Sequence, residues 1–587
     1  MAQRVIEIFR LRLFVFAMAA ISLFLTASAK AENQPSSKEL QPQAMECTGL
    51  YALKQIDPNL TGFGVKFALL CRSITYIDGM PQNDYQPNTE HNCFRDRQLT
   101  FMDQGDLPAG ISPHATAICS ILFGEDPNAF DPQLGQFHYQ GTTPEAKADI
   151  YEFWHFLINN VFHNSPPDAD ILTASIGNHF EDWWTRGIQS LAEHHGLIVV
   201  AGIGNGSDVY DPPLYPGAGA NVIGVGVVDP VNTENLATEL ANFSLAYPDH
   251  SSFGPTTEGR CKPDIVAPGN LLAADANDPD LYEPTGSWSS FATPLVAGTI
   301  GLLVQKAKED PNLSPALSPE GGNCVIKAIL MNSATKLPYW HKGLLTKEDD
   351  HFAPLDYIQG AGMLNATDAY KHLIAGPNNP DQQNGSSTIG WDLNRLQEKL
   401  TQENIYPLIL KSPAGHLITA TLVWNKHYDS VYPFEPNPEM DADLRLELWA
   451  IDPNNPKNDY LLDYSDSRVD NVEHIYALAD PNFTNYEIVV SYSNSEETDQ
   501  TPPPIQRYGL AWNASLKQNK DNIGWYDLNA DGVVNKSDIA VWIANYSESY
   551  KSPKSNLIGD IDADGEFDMD DLQLLTNHLN DHAEWYD

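Results

Sequence analysis

The chain has 587 residues, more than one ordinary hydrophobic core accommodates, and its 42% hydrophobic and 10% aromatic content suits folded domains rather than a disordered chain. With 34 basic against 78 acidic residues the formal net charge is −44, which repels phosphate-rich partners and sets nucleic acid aside. The same excess of carboxylates favours solubility and, where clustered, the holding of hard cations.

Residues 1–31 read as a secretory signal peptide. Arg4, Arg10 and Arg12 form a basic start, Leu13 to Leu25 is apolar apart from Ser22, and Ala29 and Ala31 end two overlapping small-residue cleavage patterns. The apolar run is short for a membrane span, and no later segment is long and apolar enough to replace it. The expectation is therefore a secreted or cell-surface protein, with peripheral attachment and no span after cleavage. Six cysteines (Cys47, Cys71, Cys93, Cys119, Cys261 and Cys324) match no zinc spacing. In an exported chain an even count permits disulfides, and buried thiols are the equal alternative.

Residues 32–376 alternate short apolar runs, at 65–70, 170–176, 197–203 and 221–228, with helical stretches. In the stretch 183–195, Ile188, Leu191 and Ala192 share one face. This predicts an α/β domain, a parallel sheet covered by helices on both sides, with catalytic groups at the carboxyl ends of the strands. Turn formers over 377–386 mark a linker. Over 387–516 the period changes to two, through Ile418, Ala420, Leu422 and Trp424 and again through Leu444, Leu446 and Leu448, with another strand over 486–492. That pattern predicts an antiparallel β-sandwich or jelly roll. Residues 517–587 repeat an acidic loop followed by an apolar helix, a small α-helical module.

Ser290 stands at the head of a helix marked by Val296, Ile300, Leu303 and Val304, where free N–H groups and the helix dipole favour a developing oxyanion. A serine in such a place is ordinarily a plain N-cap. The string that follows, Phe291, Ala292, Thr293 and Pro294, changes that reading: it resembles the nucleophile signature of subtilisin-like serine peptidases, with Trp288 and Ser289 where the family usually has Gly-Thr. His114, followed by Ala115 and Thr116, resembles the family's His-Gly-Thr motif. Asn205, after Ala201 to Gly204, resembles its Ala-Gly-Asn segment. Pro216, in a stretch that ends at Gly217, resembles a following turn in which relatives have a cis bond. The resemblance covers roughly Cys47 to Gly376. It implies Ser290 as nucleophile, His114 as its base and Asn205 as an oxyanion donor, a contribution worth ~3–4 kcal/mol as measured in subtilisin itself.

The family orders its triad Asp, His, Ser along the chain, with the aspartate ending the first strand. After the run Gly64 to Leu70 this chain has Cys71 instead. The carboxylate holds the imidazole in its working tautomer, and losing it costs about four orders of magnitude in rate. Three alternatives stay open: a carboxylate from the next loop (Asp78, Asp84 or Asp103), a Cys71 thiolate, or a weak or dead peptidase. Relatives also carry a folded pro-segment, and the stretch from Ala31 to Cys47 is too short for one.

Two loops near the carboxyl end space oxygen side chains at places one, three, five, nine and twelve with glycine at six, a pattern that wraps Ca²⁺. The ligands are Asp527, Asn529, Asp531, the Val533 carbonyl and Asp538 in the first, with Asn535 as a further oxygen. In the second they are Asp560, Asp562, Asp564, the Glu566 carbonyl and Asp571, with Asp568. Each loop ends in aspartate and leads into one helix, which resembles a dockerin, the module that plugs into cohesin domains. Lys536–Ser537 in one repeat and Met569–Asp570 in the other break the symmetry of any recognition surface. The expected whole is a secreted endopeptidase acting on peptide or protein substrates and needing no cofactor for hydrolysis, with Ca²⁺ in its attachment module. The other reading is an inactive peptide-binding protein held on a surface or scaffold.

Overall fold

The computed structural model describes residues 45–517, except 46–47, 72–75, 78–79, 82–83, 106–108, 132–134, 207–211, 231–242, 247–250, 287, 338–339, 344–350, 381–384, 398–402, 415 and 494–504, and beyond them 536–549, 569, 572–573 and 575–576. A parallel sheet organises the first half. Its strands are β1 (Lys66–Cys71), β2 (Gln98–Met102), β3 (Lys147–Glu152), β4 (Ile171–Ala174), β5 (Ile198–Gly202), β6 (Ile223–Pro230), β7 (Phe243–Ala246) and β8 (Ile265–Pro268). Neighbours run β2-β3-β1-β4-β5-β6, with β8 beside β6 in parallel and β7 antiparallel at the far end of β6. The central strands are apolar on both faces because both are covered: β4 and β5 are buried at every position. The register sets Leu70 beside Ala174 on one side and Cys71 beside Glu152 on the other, so these strands end level with one another.

One face of the sheet carries α1 (Pro113–Phe123) and α3 (Ser289–Glu309); the other carries α2 (Trp183–His195) and a helical segment over 153–161. The periodic stretch 183–195 is indeed α2, opened by an Asp182–Thr185 capping box and closed by Gly196 at φ 67°. Helix α3 is buried along nearly its whole length. Gly301 brings it onto the sheet: a methyl there would lie 2.7 Å from the Phe67 ring.

The described residues of the period-two region form eight strands in two antiparallel sheets: β9 (Ile389–Leu396), β10 (Glu403–Ile409), β11 (His416–Trp424), β12 (Leu444–Ile451), β13 (Tyr460–Ser465), β14 (Val472–Leu478), β15 (Asn485–Tyr492) and β16 (Gln506–Lys517). One sheet is ordered β9-β16-β11-β14 and the other β10-β15-β12-β13. Leu422, Trp424, Leu446, Leu448, Tyr486 and Trp512 fill the space between them.

The two units share a sealed seam. The first sandwich sheet lies on α4 (Gly322–Asn332), where Gly509 admits the helix backbone: a methyl there would sit 2.5 Å from the Cys324 carbonyl carbon. Lys336 Nζ donates to His474 Nε2 (2.9 Å), so the ring's other nitrogen carries the proton and donates to Thr421 Oγ1 (2.8 Å). Thr421 donates on to Asn332 Oδ1 (3.0 Å), whose amide donates to Thr419 Oγ1 (3.1 Å). A strap from the sandwich, residues 425–442, crosses α2. Ser190 Oγ donates to Asp429 O (2.9 Å), Tyr428 N to Glu193 (2.8 Å), and the Phe434 ring is fully buried beneath it. The stretch 377–386, expected as a linker, is pinned at both ends: Asn378 N donates to Trp391 O (2.8 Å) and Ser386 N to Pro407 O (2.6 Å).

Asp470 closes the seam by accepting from Cys261 N (2.9 Å), and burial pushes its carboxyl up to about 6. A carboxyl with a raised folded-state pKa binds its proton more readily folded than unfolded, so the stability it gives is present near pH 4 and lost as pH rises to about 6. The unfolding midpoint of Asp470→Asn should therefore gain on that of the unaltered chain between pH 4.5 and 7. A constant difference across that range would show that Asp470 does not titrate there.

Candidate active site

Strands β1, β3, β4 and β5 end along one edge of the sheet, and the first turns of α1 and α3 meet that edge. Trp288 is the N-cap of α3, which places Ser290 in its first turn. Ser175, just beyond β4, ties this turn down: its hydroxyl donates to Ser290 O (2.8 Å), and Ser290 Oγ lies 3.5 Å from Ser175 O.

Asn205 follows β5 by three residues. The backbone N–H and the hydroxyl of Ser289 both donate to its Oδ1, at 2.9 and 2.8 Å. A backbone N–H can only donate, so the oxygen of this amide must face Ser289 and its two N–H donors must turn away. Gly204 N donates to Ser289 Oγ at 3.2 Å, completing the clamp. The sequence marks Ser289 only as a departure from the family's usual Gly-Thr, without this clamping role. The signal is the hydroxyl it keeps where the resembling family has threonine.

His114 lies in the first turn of α1, behind Ser112, which caps the helix by accepting from Ala115 N, and Pro113. Its ring sits 5.8 Å from that of Phe291, the residue after Ser290, tilted by 52°. The structure thus brings His114, Ser290 and Asn205 to one place, with Phe291 as the contact between two helix heads. Among the described residues no hydrogen bond joins His114 to Ser290, whose hydroxyl lies 3.5 Å from the Ser175 carbonyl oxygen. Catalytic hydrogen bonds are often long without substrate and tighten in its complex.

Burial lowers the His114 pKa to about 4, and among the described residues no neighbouring carboxylate offsets it. Two of the alternatives left open for the third triad position can be placed. Cys71 is buried and burial pushes its thiol up to about 12, which favours the neutral thiol over a thiolate. Asp103 is engaged elsewhere, accepting from Tyr85 OH (2.6 Å) and Gly105 N (2.8 Å). Asp84 lies buried in a short strand, Asp84–Gln86, beside Gly110 and Ile111. Asp78 lies outside the described residues. Glu152, beside Cys71 in register, spends its carboxylate on capping His155 N (2.8 Å). The Tyr215–Pro216 bond is cis.

Of the calcium ligands read from the sequence, Asp538 is described: it is fully buried in the first turn of α5 (Lys536–Ser549). Asp527, Asn529, Asp531, Val533, Asp560, Asp562, Asp564, Glu566 and Asp571 lie outside the described residues. Among those described, no three His, Cys, Asp or Glu side chains are grouped to hold a metal, and no helix is long and apolar enough to cross a membrane.

Cys71, Cys93, Cys119, Cys261 and Cys324 are all buried free thiols, which favours the thiol alternative over disulfides for these five. Burial raises each of their pKa values. At pH 8 an aromatic disulfide reagent should titrate these five only after denaturation. Rapid labelling of Cys71 in the folded chain would contradict its neutral, sealed state.

The family model for the subtilase family matches residues 47–362, and that for the dockerin type I domain matches 525–580. Serine protease AprX of Bacillus subtilis (strain 168) is 29% identical over 265 residues, 39% of this chain and 52% of that protein. Pyrolysin of Pyrococcus furiosus is 26% identical over 249 residues, 37% of this chain and 16% of the relative. C5a peptidase of Streptococcus pyogenes is 37% identical over 165 residues, 28% of this chain and 12% of the relative. The chain spans about half or less of the length of these curated relatives. With the sheet edge, the two helix heads and these matches together, the chain belongs to the subtilase family and carries a type I dockerin domain toward its carboxyl end.

Proposed function

We propose that this chain is an exported serine endopeptidase that works slowly, on Ser290 and His114 without the usual aspartate, and that its dockerin attaches it to a cohesin-like partner. The observation that carries the reading is the clamp of Asn205 by Ser289 beside Ser290. That clamp leaves an amide donor free to hold an oxyanion. Ser290 Oγ attacks the scissile carbonyl carbon while His114 takes its proton, later returning it to the leaving amine. The Asn205 amide and the Ser290 N–H hold the oxyanion. Export rests on the basic and apolar start of the chain. The division into 32–376, 387–516 and 517–587 belongs to the same reading.

A second reading, a peptide-binding protein without turnover, is favoured by one observation: among the described residues no carboxylate faces the His114 ring to steady the imidazolium that attack on a carbonyl creates. Placing that carboxylate discriminates the two. Cys71→Asp should raise kcat/KM on an unselective peptide substrate by about 10³–10⁴-fold, and Ser290→Ala should abolish hydrolysis in both backgrounds. No hydrolysis by either chain, and no labelling of Ser290 by a phosphonate, would leave the binding reading. The base works only as the neutral ring. The unaltered enzyme should therefore hold its rate down to about pH 4 and lose it below as His114 protonates, and Cys71→Asp should move that acid limb upward.

Calcium would be held by Asp527, Asn529, Asp531, Val533 O and Asp538 in one loop and by Asp560, Asp562, Asp564, Glu566 O and Asp571 in the other. The fit rests on the buried position of Asp538 in the first turn of α5, where the twelfth ligand of such a loop belongs. Calorimetry should find two Ca²⁺ per chain and one in Asp538→Ala; unchanged binding in that variant would remove the first loop from the assignment.

A further inference from the structure

The helical segment that follows β3 has two unlike sides. Phe153, Phe156, Leu157 and Val161 are buried against the sheet and α2. On the outer side Trp154, Ile158 and Phe162 recur every four residues and are 59%, 47% and 47% exposed. The segment changes from α to π geometry at Leu157, with Phe162 N bonded to Leu157 O (2.8 Å). The wider turn swings positions four apart back over one another, so the three form one stripe. The sandwich strap extends it with Tyr432, 52% exposed, whose ring lies 5.3 Å from Phe162 and 5.6 Å from Trp183. The strap is anchored from beneath by Phe434, so its fold does not require Tyr432 to stay outside. Contiguous exposed apolar surface of this kind ordinarily marks a binding site.

Two features select the occupant. The rings stand at 45°, 63° and 87° to one another, which leaves wedges rather than the flat table that a sugar ring would stack upon. The surroundings are acidic: residues 152–196 and 425–443 hold eleven aspartates and glutamates against Arg186 and Lys426, with Asp168 and Asp170 met by Lys66 and Lys308 from outside these stretches. Arg186 and Lys426 are paired with Glu435 and Asp441. Asp429, Glu435 and Glu439 are exposed on the strap itself.

We propose that this ledge, built jointly by the peptidase unit and the sandwich strap, docks an extended cationic polypeptide in which lysine or arginine alternates with apolar side chains. The apolar side chains enter the wedges, and the cations meet ring faces and the strap carboxylates. Docking needs no bond cleavage, so it stands apart from the hydrolytic reading.

The test uses the full chain carrying Ser290→Ala and fluorescence anisotropy with a labelled peptide of alternating lysine and phenylalanine. Glutamate–phenylalanine and cello-oligosaccharide probes run in parallel, and sedimentation follows self-association. The lysine peptide should bind at least tenfold tighter than the glutamate peptide and weaken as salt rises. Trp154→Ser/Phe162→Ser/Tyr432→Ser should weaken it tenfold or more at an unchanged unfolding midpoint. If that variant loses its fold, Asp429→Asn/Glu439→Gln carries the decision by the same weakening. Equal binding of the two peptides, binding that both variants retain, or a variant that loses oligosaccharide binding or self-association instead would overturn the proposal.

Discussion

Burial of α3 is the constraint on which the chemistry depends. A helix with almost no free surface, seated through Gly301 against Phe67, cannot rotate about its axis without opening the core. Its first turn is therefore presented to the sheet edge in one orientation. Ser175 and Asn205, which follow two neighbouring strands, then fasten that turn through Ser290 O and Ser289. Local hydrogen bonds trim the geometry; close packing of the helix behind them sets it.

The charge logic of the edge is internally consistent. His114 and Cys71 are both uncharged, and both for the same reason, since burial without a counter-ion disfavours either ionic form. Asp103 and Glu152 are held by a tyrosine hydroxyl and a helix N-terminus. Among the described residues no carboxylate faces the imidazole, and on the proposed reading such a centre can begin proton transfer but gives little support to the ion pair that follows.

Much of this was legible in the residues. The apolar runs became parallel strands because a doubly covered sheet needs no polar face, and the 183–195 periodicity became a helix with its cap one residue before. Alternation through Ile418 to Trp424 and Leu444 to Leu448 gave the sandwich strands, since period two survives wherever one face is buried. The motifs around His114, Asn205 and Ser290 placed three residues that the structure gathers. Other features left no local trace. Ser289 acts through a contact 84 residues away in sequence, the Tyr85–Asp103 bond removes a carboxylate that spacing alone left available, and the strap is recognisable only once α2 lies beneath it. Long-range polar contacts have no period, so a single sequence does not reveal them.

The sealed seam has a consequence for how such a molecule ages. The connection between the two units is pinned at both ends while Gly509, the His474 relay and the Phe434 anchor hold the bodies together independently of it. A cut in that connection would divide the polypeptide but not the particle. A nicked copy would go on behaving as one object.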